Sequence, residues 1–275
     1  MNNLVSTSWL ADHLNDGVVV LDASWHLPAM KRDARTEFAS AHIPAAQFFD
    51  IDAISDHATT LPHMLPSPES FAADVGKLGV GNNAHVVCYD STGLFSAARC
   101  WWMFKIFGHD TVAVLDGGLK KWLAENRPIE SGNSAATPQT FTAKLNPAMV
   151  KSADQVSAEH AQIADARSAP RFRGEEPEPR PGVRPGHIPG ARNVHYSSLL
   201  NPDGTMKPSA DLAKIFADAG VDIEKPVTTS CGSGVTAAIL SLALTELGAK
   251  SHALYDGSWA QWGASTRAIE TGPAR

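Results

Sequence analysis

The sequence predicts an α/β fold with parallel sheets, and this fold occurs twice along the chain. Short apolar segments alternate with longer helical patterns, a rhythm typical of strands joined by helical crossovers. Several segments recur in the same order about 140 to 145 residues later. With 275 residues, the chain is long enough for two domains of ordinary size.

The apolar patterns predict six strands and four helices. The strand candidates are 18–21, 85–89, 112–115, 162–165, 226–230 and 252–255. The helix candidates are 69–78, 95–107, 210–219 and 235–247. Because ligands of parallel α/β sheets collect beyond the carboxyl ends of the strands, turns that follow strands are the natural places for a site.

Four pairs of segments carry the internal repeat. They are 18–24 with 161–168, 42–46 with 187–191, 86–90 with 227–231, and 114–122 with 254–262. We therefore expect two copies of one domain, over residues 1–130 and 151–275. A linker at 131–150, which bears Pro, Ser and Gly, joins them.

Cys231 opens the turn between a predicted strand and an apolar helix. An isolated cysteine is most often a buried structural residue. Here Gly232 and Gly234 flank Ser233, and glycines at this spacing let backbone N–H groups turn toward an anionic sulfur at a helix N-terminus. We therefore expect Cys231 to be a nucleophile, and Asp90 at the matching position makes the first copy silent.

Composition narrows the class of protein. A net charge of -6 without a run of Lys and Arg argues against a nucleic-acid partner. The sequence shows neither a signal-like N-terminus nor an apolar run of membrane length, so we expect a cytoplasmic protein with no membrane partner. Three cysteines fit a reducing compartment, and their spacing to histidines predicts no metal site and no cofactor.

Several motifs together resemble the two-domain rhodanese-type sulfurtransferases. They are the paired His-Ile-Pro-Ala/Gly segments, the paired Asp-Gly motifs followed by tryptophan, and the loop Cys231-Gly-Ser-Gly-Val-Thr-Ala. The resemblance covers essentially the whole chain and implies two tandem rhodanese-like domains, each a parallel β-sheet flanked by α-helices. The loop is similar to that of the family members that use 3-mercaptopyruvate, whereas those that use thiosulfate carry basic side chains at its second and third positions.

The resemblance implies that Cys231 takes sulfane sulfur from 3-mercaptopyruvate as a persulfide and releases pyruvate. The sulfur then passes to a thiol such as thioredoxin, or to cyanide. Physical chemistry favours the same donor, because thiosulfate carries its charge close to the transferred sulfur and Gly232 and Ser233 supply no cation there. The carboxylate and ketone of mercaptopyruvate call instead for donors set back from the cysteine.

The resemblance assigns these donors to Arg171 and Arg180, although a segment of mixed charge is ordinarily a surface loop. It also implies that backbone N–H groups of the loop bind the thiolate and the persulfide. The loop residues concerned are Gly232, Gly234, Val235 and Thr236.

A proton relay is also implied by the resemblance. It links Ser233 to Asp52 and His63 of the first copy and serves the enolate that leaves as pyruvate. This chain departs from the family at Pro62, where many relatives carry an acidic residue before the histidine.

Other functions stay open at this stage. The alternatives are a thiosulfate:cyanide sulfurtransferase and a sulfur-relay protein without small-molecule turnover. A cysteine phosphatase or arsenate reductase of related fold requires an arginine six residues after the cysteine, and this chain has Ala237 there.

Overall fold

The computed structural model describes residues 2–159 and 161–274, which form two compact units. The first unit contains the residues up to Asp56, Pro66–Leu145 and Asn201–Met206. The second contains His57–Leu65, Asn146–Leu200 and the residues from Lys207 onward. Each unit therefore includes a short segment from the other half of the sequence. His63, which belongs to the first copy by sequence order, packs in the second unit.

Each unit is built on a five-stranded parallel sheet, in agreement with the predicted α/β fold. The first sheet contains β1 (Leu4–Val5), β2 (Val18–Asp22), β3 (Gln47–Phe48), β4 (His85–Tyr89) and β5 (Val112–Leu115). The second contains β6 (Val150–Lys151), β7 (Gln162–Asp165), β8 (Arg192–Asn193), β9 (Val227–Ser230) and β10 (His252–Tyr255). The strand orders, β1-β5-β4-β2-β3 and β6-β10-β9-β7-β8, are the same under the repeat.

Helices connect the strands in both units. In the first unit they are α1 (Thr7–His13), α2 (Ala34–Ser40), α3 (Pro68–Lys77), α4 (Ala97–Ile106) and α5 (Gly118–Ala124). In the second they are α6 (Ala153–Ala158), α7 (Ala169–Arg173), α8 (Ser209–Asp218), α9 (Ala237–Glu246) and α10 (Ser258–Trp262). Within the described residues, all of these helices are too short or too polar to span a membrane.

The helices after β4 and β9 lie in the interior of their units. α9 is apolar on every side, and its residues from Ala237 to Leu244 are all buried. In α4, Trp101 and Trp102 are each 1% exposed. Each of these helices starts directly after the turn at the carboxyl end of a central strand, so close packing on both sides fixes that turn.

The two exchanged segments make equivalent contacts in their host units. In the second unit, Leu65 N donates to Asp256 Oδ2 at 2.7 Å. In the first, Met206 N donates to Asp116 Oδ1 at 2.8 Å. Both aspartates belong to the repeated Asp-Gly motif, so the repeat extends to the way in which each unit receives its foreign segment.

Candidate active site

Cys231 lies in the turn between β9 and α9, as the sequence predicts. Its side chain is buried, and its Sγ accepts a hydrogen bond from Gly234 N at 3.1 Å. Gly234 has a φ of 80°, a left-handed conformation that favours glycine. Val235 is buried and Thr236 is the N-cap of α9. The sulfur therefore faces a backbone donor at the N-terminal end of a helix.

The start of α10 holds this turn in place. Cys231 N donates to Ser258 Oγ at 3.2 Å, and Ser258 Oγ donates to Tyr255 O at 2.8 Å. Trp259 N and Ala260 N donate to the carbonyl oxygens of Cys231 and of the next residue, at 2.9 and 2.8 Å. Ser258 was missed by the sequence reasoning, although its place in the repeated Asp-Gly motif was a usable signal.

Ser233 and His63 form a buried pair in the second unit. Ser233 Oγ and His63 Nδ1 are hydrogen-bonded at 3.0 Å, and the two residues are 6% and 5% exposed. His63 has a φ of 59°, a left-handed conformation that is uncommon for residues other than glycine. Asp52 lies in the first unit, where its Oδ2 accepts a hydrogen bond from Trp25 Nε1 at 3.0 Å. Its part in a relay stays a prediction.

Arg171 and Arg180 both lie beside Gly232. A Cβ atom on Gly232 would be 3.2 Å from Arg171 Nη2 and 4.0 Å from Arg180 Nη1. Two guanidinium groups thus lie beside the residue that follows the cysteine, set back from its sulfur as the sequence analysis expects. A planar guanidinium can hold a carboxylate through two parallel hydrogen bonds.

Sequence reasoning also missed Glu178, which stands in the same mixed-charge segment. Its side chain is only 4% exposed, and its Oε2 accepts a hydrogen bond from Arg171 Nη2 at 2.5 Å. Its Oε1 accepts from Arg167 Nη1 at 2.8 Å. Buried carboxylates are costly unless they are paired, so Glu178 belongs to a built cluster and not to a solvated loop.

In the first unit, the turn after β4 is filled by a carboxylate. Asp90 Oδ1 accepts hydrogen bonds from Thr92 N, Thr92 Oγ1 and Gly93 N at 2.9, 2.7 and 3.1 Å. Asp90 Oδ2 accepts from Phe95 N, Ser96 N and Ala97 N at 2.7, 2.9 and 3.0 Å. The donor from Gly93 matches the one that Gly234 supplies to the cysteine. The turn of the first unit therefore binds an anion that is part of the chain itself.

The exchanged segment differs between the two turns. In the second unit it brings His63 to Ser233, whereas in the first it brings Gly204 against Gly93. A Cβ atom on Gly93 would stand 2.9 Å from Gly204 Cα, so the two backbones are in close contact. Gly204 therefore brings no titratable side chain to the first turn, whereas the second turn receives His63.

The aspartates at the ends of β2 and β7 have different surroundings. Burial raises the pKa of Asp22 to about 6, and the nearby Asp90 adds to the rise. Asp165, its counterpart, is paired with Arg167 at 2.7 Å. Ser24 takes the place of that arginine in the first copy and donates its backbone N–H to Asp22 at 2.9 Å. The first unit thus keeps a buried carboxyl without a matching cation at this position, as far as the described residues go.

Metal binding has no support from the described residues, 2–159 and 161–274, in which no three His, Cys, Asp or Glu side chains are grouped closely enough to hold an ion. The groups that the structure brings together at the turn are the thiol, the serine-histidine pair and the two arginines.

The chain is a tandem α/β protein, in which each unit has a five-stranded parallel sheet. The same strand-to-helix turn carries a cysteine in one unit and an aspartate in the other. The chain belongs to the rhodanese family, because the rhodanese-like domain matches it twice, over residues 6–125 and 149–265.

Its relatives are sulfurtransferases that differ in their named donors. The 3-mercaptopyruvate sulfurtransferase of Escherichia coli K12 is 46% identical, with 94% of each chain covered. The thiosulfate sulfurtransferase of Rattus norvegicus is 42% identical, covering 94% of this chain and 91% of the relative. The crystal structure of SseA from Escherichia coli, described as a 3-mercaptopyruvate sulfotransferase with the rhodanese fold, superposes with a TM-score of 0.86. It is 43% identical, and 94% of this chain and 99% of SseA are covered.

Proposed function

We propose that this protein is a sulfurtransferase that takes sulfane sulfur from 3-mercaptopyruvate onto Cys231 and delivers it to a thiol or to cyanide. Overall identity does not select the donor, because the relatives named for 3-mercaptopyruvate and for thiosulfate are 46% and 42% identical. The observation that carries the choice is the position of Arg171, whose Nη2 lies 3.2 Å from the place where a Cβ atom on Gly232 would stand. The cationic groups stand beside the loop, and none is on the loop itself.

The first half-reaction transfers one sulfur atom. The Cys231 thiolate attacks the sulfur of 3-mercaptopyruvate, an S–S bond forms, and the C–S bond breaks with its electron pair going to carbon. The products are a cysteine persulfide and the enolate of pyruvate. One proton converts the enolate to pyruvate, so no external oxidant or reductant is needed.

Arg171 and Arg180 are suited to the substrate's carboxylate and ketone. Their Nη atoms lie 3.2 and 4.0 Å from the Cβ position of Gly232. Charge-assisted hydrogen bonds from both would orient the C–S bond toward the thiolate and spread the charge of the forming enolate.

Backbone N–H groups of the loop from Gly232 to Thr236 are proposed to bind the thiolate and the persulfide. Support comes from the corresponding turn of the first unit, in which N–H groups of the loop and of the first residue of α4 converge on the carboxylate of Asp90. A carboxylate oxygen and the outer sulfur of a persulfide are both two bonds from Cβ. By analogy with the donors that hold Asp90 Oδ2, we propose that N–H groups at the start of α9 hold the outer sulfur.

Ser233 and His63 are proposed to deliver the proton to the enolate. Their hydrogen bond of 3.0 Å joins a hydroxyl two residues after the nucleophile to a group that can exchange protons. We include Asp52 as the third member of the relay on the strength of the family resemblance alone.

In the second half-reaction a thiolate, from thioredoxin or a small thiol, or a cyanide ion attacks the outer sulfur. The S–S bond breaks and the Cys231 thiolate is regenerated. We further propose that this occurs in the cytoplasm, and the support is the odd number of cysteines, all of them free.

Steady-state rates with the two donors and cyanide as common acceptor test the proposal. We expect kcat/KM for 3-mercaptopyruvate to exceed that for thiosulfate, with thiocyanate and pyruvate formed in equal amounts. The reverse order would make the protein a thiosulfate sulfurtransferase. Absence of thiocyanate with either donor would favour a sulfur-relay protein.

A further inference from the structure

Glu178 holds Arg171 in a fixed place. Arg171 directs Nη2 at Glu178 Oε2, 2.5 Å away, and Nε at Glu178 Oε1, 3.3 Å away. A guanidinium has five N–H donors, so two point at the carboxylate and three remain for a substrate. The arginine side chain is 22% exposed and that of Glu178 is 4% exposed. The buried partner therefore sets the position of the more accessible one.

Glu178 is in turn held by Arg167, which is itself paired with Asp165. Arg167 Nη1 donates to Glu178 Oε1 at 2.8 Å, and Arg167 Nη2 donates to Asp165 Oδ2 at 2.7 Å. Arg167 also lies over the ring of Trp259, 4.5 Å from its centroid. Asp165 is the last residue of β7 and pairs in register with Ser230, which immediately precedes the nucleophile. The charge chain thus starts at the sheet edge from which the reactive turn emerges.

Gly232 completes the arrangement on the other side of Arg171. A Cβ atom there would stand 3.2 Å from Arg171 Nη2, closer than ordinary van der Waals contact. The end of an arginine side chain normally yields to such a contact at little cost. Here the same Nη2 is bonded to Glu178, so it cannot retreat without losing that bond.

We propose that Glu178 is a positioning residue, which clamps Arg171 against Gly232 and thereby sets the preference for a donor with a carboxylate set back from its sulfur. This inference rests on the proposed function. The clamp explains why position 232 carries no side chain: any substituent there would push Arg171 out of the place in which its three remaining donors meet the substrate.

The direction in which donor binding changes, once the charge of Glu178 is removed, distinguishes a positioning role of this residue from an electrostatic one. The four side chains Asp165, Arg167, Glu178 and Arg171 sum to zero charge. Removing the negative charge of Glu178 makes the cluster more positive, so a purely electrostatic role predicts tighter binding of both anionic donors. A positioning role predicts the opposite for 3-mercaptopyruvate, because the guanidinium is no longer aimed.

The test measures donor preference, defined as kcat/KM for 3-mercaptopyruvate divided by kcat/KM for thiosulfate, with cyanide as acceptor. Wild type is measured first, and a value below one would refute the proposed function itself. We expect Glu178→Gln and Glu178→Asp each to lower the preference about tenfold. Glu178→Asp keeps the negative charge and shortens the side chain by one methylene group.

Glu175→Gln is the matched control. Glu175 accepts hydrogen bonds from Arg173 Nε and Nη2 at 2.7 and 2.8 Å in the same segment, and its side chain is 54% exposed. The donor preference of the Glu175→Gln variant should stay within about twofold of wild type, because an exposed ion pair contributes little. A role of Glu178 in stability alone would lower both rates equally and leave the preference unchanged, which would overturn the proposal.

Gly232→Ala tests the clamp without touching the buried charges, and it decides the question if the Glu178 variants do not fold. It should also lower the preference, because its Cβ displaces Arg171. If the Glu178 variants fold, the double variant Glu178→Asp with Gly232→Ala should lose less than the product of the two single losses, by about fivefold. Wild-type preference in Gly232→Ala, or independent losses in the double variant, would show that Arg171 is not clamped.

Discussion

Replacing Asp90 with asparagine keeps the shape of the side chain and removes its charge. In the wild-type turn, Oδ2 accepts hydrogen bonds from Phe95, Ser96 and Ala97, and Oδ1 accepts from Gly93 among others. An asparagine amide can supply only one of the two oxygens. Its NH2 group would face N–H donors on the other side, whichever way the amide is turned.

The expected loss is large. With the NH2 group in the place of Oδ2, three hydrogen bonds to a charged acceptor disappear, and the backbone donors of Ser96 and Ala97 belong to residues that are fully buried. At about 1–3 kcal/mol for each of these two unsatisfied buried groups, Asp90→Asn should lower the free energy of unfolding by about 2–6 kcal/mol. That is a substantial part of the ~5–15 kcal/mol that holds an ordinary domain together.

Urea unfolding at pH 7, followed by tryptophan fluorescence, measures this loss. Asp110→Asn is the control, since that side chain is 86% exposed and paired with Lys105. The control should change the free energy of unfolding by less than about 1 kcal/mol. If Asp90→Asn is as stable as the control, the carboxylate does not fill an anion site and the account of the silent turn is wrong.

Three further substitutions test other parts of the structure. Burial raises the pKa of Asp22 from 3.8 to about 6, so the folded state binds this proton more tightly than the unfolded chain and loses stability as pH rises through that range. The free energy of unfolding of Asp22→Asn relative to wild type should therefore rise by about 2 kcal/mol between pH 4 and pH 7, and a difference independent of pH would contradict this. Ser233→Ala breaks the hydrogen bond to His63 and should slow pyruvate formation in a single turnover by about 100-fold; an unchanged rate would exclude the proton relay. Arg180→Ala should raise the KM for 3-mercaptopyruvate by at least about tenfold and affect thiosulfate less, whereas equal losses would indicate a structural role.

The centres of the two sheets could be predicted from the sequence. The strands β4, β5, β7 and β10 have the predicted bounds, and α3, α4, α8 and α9 differ from prediction by one or two residues at each end. These elements leave long apolar patterns because they are buried. The edge strands β1, β3, β6 and β8 have two residues each, too few to show a period, so only the structure reveals them.

The candidate site also contains residues that could be predicted from the sequence and residues that could not. The turn at Cys231 could be predicted because the strand, the glycines and the helix are contiguous in sequence. Ser233 and His63 are 170 residues apart, and only the family resemblance suggested the pair. Glu178 could not be found from the sequence, because its burial depends on Arg167, eleven residues earlier and itself buried. The placement of the short segments His57–Leu65 and Asn201–Met206 likewise depends on tertiary packing, which local sequence patterns do not predict.

Mass spectrometry of the protein after exposure to 3-mercaptopyruvate, without an acceptor, tests the central claim most directly. We predict a gain of one sulfur atom, about 32 Da, confined to the peptide that contains Cys231, together with one equivalent of pyruvate. Cys88 and Cys100 are fully buried and serve as internal controls. A Cys231→Ser variant should gain no sulfur. Sulfur on Cys88 or Cys100, or pyruvate formed by the Cys231→Ser variant, would contradict the account.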